Sequence, residues 1–66
     1  MYNQDVLNKI IDVVGIEKAT EFCEIVALMY NIKYNACKNK DVLCEYDYER
    51  DWWSNAYLEL KKDLTI

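Results

Sequence analysis

"EKATEFCEIVALMYNIKYNAC", residues 17–37, is the stretch on which the architecture turns. Phe22, Ile25, Met29, Ile32 and Ala36 recur at gaps of three and four, the spacing of one helix face. A second row, Ala19, Cys23, Val26, Tyr30, Lys33 and Cys37, runs beside it with one polar member. Between Phe22 and Tyr30 only Glu24 is polar. A surface helix carries one apolar stripe, whereas this one is apolar over most of its circumference. The expectation is a central helix covered from two sides.

The flanking sequence supplies the elements to cover it. Val6, Leu7, Ile10, Ile11 and Val14 recur at helical spacing and predict a short helix over about 4–14. Gly15, the sole glycine, stands where a helix ends in a left-handed residue. "KNKD" at 38–41 reads as a polar connector, with Asp41 as the expected N-cap of the last helix. From there Leu43, Tyr46, Arg50, Trp53, Tyr57, Leu60 and Leu64 step three, four, three, four. Arg50 alone interrupts that seam; its stem is expected along apolar surface with the guanidinium in water. A rival parse starts the last helix at Asp47 and leaves 38–46 irregular. The continuous helix over about 41–64 is preferred. Two long helices joined by a few residues must fold back on each other. The predicted fold is therefore all-α: one domain over 1–66, an antiparallel helical hairpin with helices near 17–37 and 41–64, and a short N-terminal helix completing a small three-helix bundle.

Composition bears on whether such a chain suffices alone. A chain of 66 residues buries only about 60% of its unfolded surface, so its stability is marginal. Yet 53% of the residues are hydrophobic and 14% aromatic, more than a small core can use. The surplus predicts self-association, a core continued into another copy. With 30% charged residues and no long apolar run, a transmembrane helix is excluded, and "MYNQDVLNK" lacks the order of a signal peptide. The expected setting is the cytoplasm of a host cell or a virion. Richness in Asn, Lys, Tyr, Ile and Asp, which have AT-rich codons, suggests a bacteriophage or mobile-element gene.

Charge is unevenly distributed. Net charge is −4, and residues 1–40 balance five acids against five lysines. The excess lies in 41–66, most of it in "CEYDYERDWW", residues 44–53. On a continuous helix Tyr46 and Trp53 point into the hairpin. Tyr48 and Trp52, four apart, share the outer face with Asn55, among Glu45, Glu49, Asp51 and Glu59. Tyr and Trp ringed by charge are common interface anchors, so these seven residues form the expected partner-binding patch; the equal alternative is that Tyr48 and Trp52 cover the short N-terminal helix and belong to the core. Direct contact with a nucleic-acid backbone is not expected, because it needs a positive surface. A hairpin dimer touching RNA would have only Lys9, Lys18, Lys33, Lys38 and Lys40 to use.

Catalysis has little to work with. There is no histidine, and Ser54, the only serine, has no usual general base. Cys23, Cys37 and Cys44 make no CxxC pair and fall short of the four ligands of structural zinc. They read as small core residues. No enzyme, metal or cofactor is expected. The leading expectation is a non-enzymatic protein–protein interaction or assembly module, whose partner is another copy of itself or a larger basic protein. The alternative is an acidic inhibitor that fills the basic nucleic-acid groove of a host nuclease or similar defence protein.

Overall fold

In the computed structural model, which describes Tyr2 to Leu64, three α-helices run Asn3–Val14 (α1), Ile16–Ala36 (α2) and Lys40–Leu64 (α3). The described residues contain no strand, and the chain forms a small all-helical bundle. No helix among them is long and apolar enough to cross a membrane.

The two breaks have distinct chemistry. Gly15 takes φ 88° and ψ 165°, a region open essentially to glycine alone. The expected left-handed helical cap is thus replaced by a sharper reversal. Its amide donates to Ile11 O at 2.9 Å and its carbonyl accepts from Ala19 at 3.0 Å, so one residue closes α1 and opens α2. A Cβ at this position would meet nothing within 4 Å. The demand for glycine is therefore conformational, worth about 1–3 kcal/mol. At the second break Asn39, not Asp41, supplies the cap: its Oδ1 accepts from the Asp41 amide at 2.9 Å. Asp41 falls inside the first turn, where its charge still suits the helix dipole.

Pairings between α2 and α3 fix their direction. Phe22 meets Trp53, Tyr30 meets Tyr46, and Asn31 meets Arg50. The step from Phe22 to Tyr30 along α2 goes with a step back from Trp53 to Tyr46 along α3, so the pair is antiparallel. These helices are about 32 and 38 Å long, whereas α1 is about 18 Å. The short helix therefore lies over only part of the hairpin.

Trp53 is the centre of the core. It is 4% exposed, and the neighbours that are fully covered on α2 are small: Ala19, Thr20 and Cys23. Leu7 from α1 and Leu60 from α3 complete the buried set. Trp53 makes edge-to-face contacts with Trp52 at 4.9 Å and Phe22 at 6.3 Å between ring centroids. Thr20 satisfies its hydroxyl by donating to Ile16 O at 2.7 Å.

The structure overturns one expectation here. Of the two apolar rows on α2, the row of smaller residues faces inward, with Ala19 and Cys23 fully covered and Val26 and Tyr30 packed on the core. The larger row points out: Ile25 is 63% exposed, Ile32 67%, Met29 43% and Phe22 42%. Helix α2 does pack against both α3 and α1, as expected of a central helix, but neither covers its outer row. The cause is steric: α3 brings Tyr46, Trp53 and Tyr57, and a close approach to those rings requires small residues opposite.

Candidate interaction surfaces

Three surface regions carry chemistry. The first is the outer face of α2. Phe22, Ile25, Leu28, Met29 and Ile32 are all substantially exposed along it. Beside its N-terminal half, α1 and α2 enclose an open groove of about 580 Å³. Ile10, Val13 and Val14 form one wall and Phe22 and Ile25 the other, with Lys9, Lys18 and Glu21 at the rim. Val13 is 73% exposed and Val14 43%. The face and the groove make one apolar surface.

The second region is the acidic, aromatic stretch of α3, which the structure divides. Tyr48, Glu45 and Glu49 line a groove of about 630 Å³ with Asn3, Tyr30, Cys44 and Tyr46, where α1 stops short of the connector. Trp52, Asn55 and Glu59 line a different groove, against Gln4, Leu7 and Ile11 of α1. Tyr48 is exposed, as expected for a displayed anchor, at 63%. Trp52 is half-buried and packs on the core, so α1 covers much of it. The seven residues thus lie along α3 with Glu45, Tyr48 and Glu49 beside the start of α1, Trp52, Asn55 and Glu59 against its body, and Asp51 beside Arg50. Glu49 differs most from expectation. Its Oε2 accepts from Asn3 Nδ2 at 2.9 Å and from Trp53 Nε1 at 3.2 Å, which ties the start of α1 to the core of the hairpin. A carboxylate that reads as surface charge is a structural clasp.

The third region surrounds Arg50. Its guanidinium is not free in water. It pairs with Asp47, lies 3.7 Å from Asp51, donates to Asn31 Oδ1 at 3.1 Å, and sits 4.6 Å from the Tyr34 ring centroid. One cation thus lies between two of the acids, offsetting one unit of their charge, and bridges α3 to α2. Lys62 lies 3.6 Å from Glu59, an exposed pair of small energetic weight. In the sequence Arg50 stands out only as an interruption. Its planar, multi-donor head is the signal that could have marked it as a cross-helix link.

The cysteines separate by environment. Cys23 is fully covered, and desolvation pushes its thiol above the ordinary range. Cys44 is exposed, and Cys37 is half-buried with its Sγ 3.4 Å from Asn39 O. Cys37 and Cys44 are accordingly not the covered core residues that the sequence suggested. Two thiols should react with an aromatic disulfide reagent within seconds to minutes, and Cys23 only as fast as the bundle opens. Equal rates for all three thiols would contradict the placement of Cys23. Stability should follow the same chemistry. The folded state holds this thiol protonated, so its contribution is intact below the unfolded thiol's pKa of about 8.5. That contribution declines as pH rises from there through the higher folded value.

Among the described residues no group of His, Cys, Asp or Glu is placed to hold a metal ion. What the fold and these surfaces define is a small helical bundle with an uncovered apolar face. Comparison of the chain with protein-family models, with curated proteins and with solved structures gives no match.

Proposed function

We propose that the protein is a non-enzymatic interaction or assembly module that works by docking the outer face of α2 onto another protein surface. The observation that carries this reading is the exposed row Phe22, Ile25, Met29 and Ile32, continuous with the α1–α2 groove. Contiguous exposed apolar surface of this kind marks interaction sites in small proteins. The composition fits a virion component or an accessory protein of a phage or mobile element, acting in the virion or the host cytoplasm.

The acidic-inhibitor reading draws less support. Asp47, Asp51 and Glu59 each lie beside a cation of the chain, which weakens the field that a basic groove would meet. Salt separates the two readings, since docking through charge weakens steeply with ionic strength and apolar docking does not.

The test compares the native chain with an Ile25→Asp, Ile32→Asp double variant as bait in quantitative affinity capture from the native source. Both residues are exposed and outside the buried core, so the variant should keep the fold. At least one protein, additional copies of the chain included, should be held by the native bait and lost by the variant. Identical retention by both baits would remove the α2 face from the function.

A further inference from the structure

Resting on the reading of α2 as a docking face, we infer that its occupant is a second copy of this chain, joined by an antiparallel α2–α2 seam about a two-fold axis between Ile25 and Met29. Exposed area points to a partner of this size. A compact monomer of 7.9 kDa should expose about 4,400 Å², and this chain exposes 5077 Å². The excess, roughly 700 Å², is close to the ~800 Å² that each partner gives to a standard interface. The radius of gyration agrees: 12.7 Å, where about 11 Å is expected of a compact chain of this length.

The residue pattern points the same way. Phe22, Ile25, Met29, Ile32 and Ala36 follow the alternating three-four spacing of a helix-pairing seam. Their outward position leaves Ile25, Met29, Ile32 and Ala36 largely uncovered within the chain, while Phe22 is half-exposed and keeps an edge contact with Trp53. One row of α2 holds α3 and the other is free to hold a like helix. A two-fold interface needs only this one self-complementary surface.

Direction follows from α1. The short helix walls the face near Phe22 and Ile25, and its first residue, Asn3, lies level with Tyr30, so Ile32 and Ala36 extend beyond it. A parallel pairing would bring two α1 helices to the same end and leave the other end bare. The antiparallel pairing lays the α1 end of each copy beside the bare end of its mate. Val13 and Val14 then gain apolar neighbours, and the two α2 dipoles oppose. In this register Phe22 faces Ile32 of the other copy, and Ile25 faces its Met29.

Sedimentation equilibrium of the purified chain across about 1–100 µM, at or above the dissociation constants of standard-size interfaces, tests this pairing. Twice the 7.9 kDa chain mass is expected. Ile25→Asp and Ile32→Asp should each weaken the dimer on the order of 100-fold or more, by burying an unpaired charge at the seam. Both should keep native helicity by circular dichroism. Tyr48→Asp, on an exposed α3 position whose groove is lined by Asn3 and Tyr30 and not by the seam, should leave the mass doubled. A nuclear Overhauser contact between the Phe22 ring and Ile32 methyls should appear. Within one helix those residues are about 15 Å apart, so the contact must cross between copies. A monomer at the highest concentration, or Phe22 contacts to Phe22 of the other copy, would overturn the inference. If the purified chain is monomeric while captured proteins still depend on Ile25 and Ile32, only the second copy is lost. If the capture is also unchanged, the docking reading falls with it.

Discussion

Trp53→Ala should leave the chain largely unfolded at room temperature. Removing a buried aromatic ring costs about 3–5 kcal/mol, because the surrounding atoms close the void only in part. A domain of this length holds roughly 3–10 kcal/mol in total. Trp53 is 4% exposed and sits at the meeting of all three helices, with its indole N–H held by Glu49. Its α2 neighbours Ala19 and Cys23 are too short to swing into the space. Urea titration followed by helical circular dichroism should show a midpoint near zero denaturant, or no folded baseline. A midpoint within a few tenths molar of the native chain would mean that the core lies elsewhere.

Leu7→Ala should have the next largest effect, and a local one. Leu7 is the only fully buried residue of α1, at 5% exposure. Its truncation costs about 2–5 kcal/mol, again because the cavity closes only in part. A helix of 12 residues is marginal in isolation, so α1 has little reason to persist once its anchor is gone. Hydrogen exchange should show the α1 amides losing protection before those of α2 and α3. The Asn3–Glu49 bond alone, worth about 1.5–3 kcal/mol at most for a charged acceptor, would not hold it. Uniform loss of protection along the chain would show instead that α1 is an inseparable part of the hairpin.

The placement of helices was legible because the signals were local. Periodicity, a lone glycine and a polar connector located three helices, and the structure moves their ends by little: the expected spans near 4–14, 17–37 and 41–64 stand beside Asn3–Val14, Ile16–Ala36 and Lys40–Leu64. The inward seam of α3 was readable from Leu43 to Leu60, since only one of its faces is continuously apolar. Leu64 departs from it, at 43% exposure, where α3 outruns its partner.

The inner face of α2 was not legible, for a physical reason. Both of its rows are apolar, and hydrophobicity favours burying the larger. Burial of Ala19 and Cys23 instead of Ile25 and Ile32 is decided by the size of rings on another helix, and a periodicity holds no information about that. The role of Glu49 was hidden for a related reason. Glu49 and Trp53 are four apart, a spacing that brings any two helical side chains together. Nothing local distinguishes a clasp reaching back to Asn3 from a charge facing solvent. Arg50 likewise takes its meaning from Asn31 and Tyr34, which are remote in sequence.

Because an alanine and a cysteine share the buried core with a single indole, the hairpin has almost no freedom to redistribute bulk between its two arms. Enlarging either small residue would wedge the arms apart, and no reduction of the ring can be repaired by one neighbour. Compensating changes in descendants of this chain should therefore come in linked sets, a smaller ring on one arm with several larger residues on the other. Drift along the outward row of α2 has no such internal tether; whatever constrains those positions must come from outside the single chain.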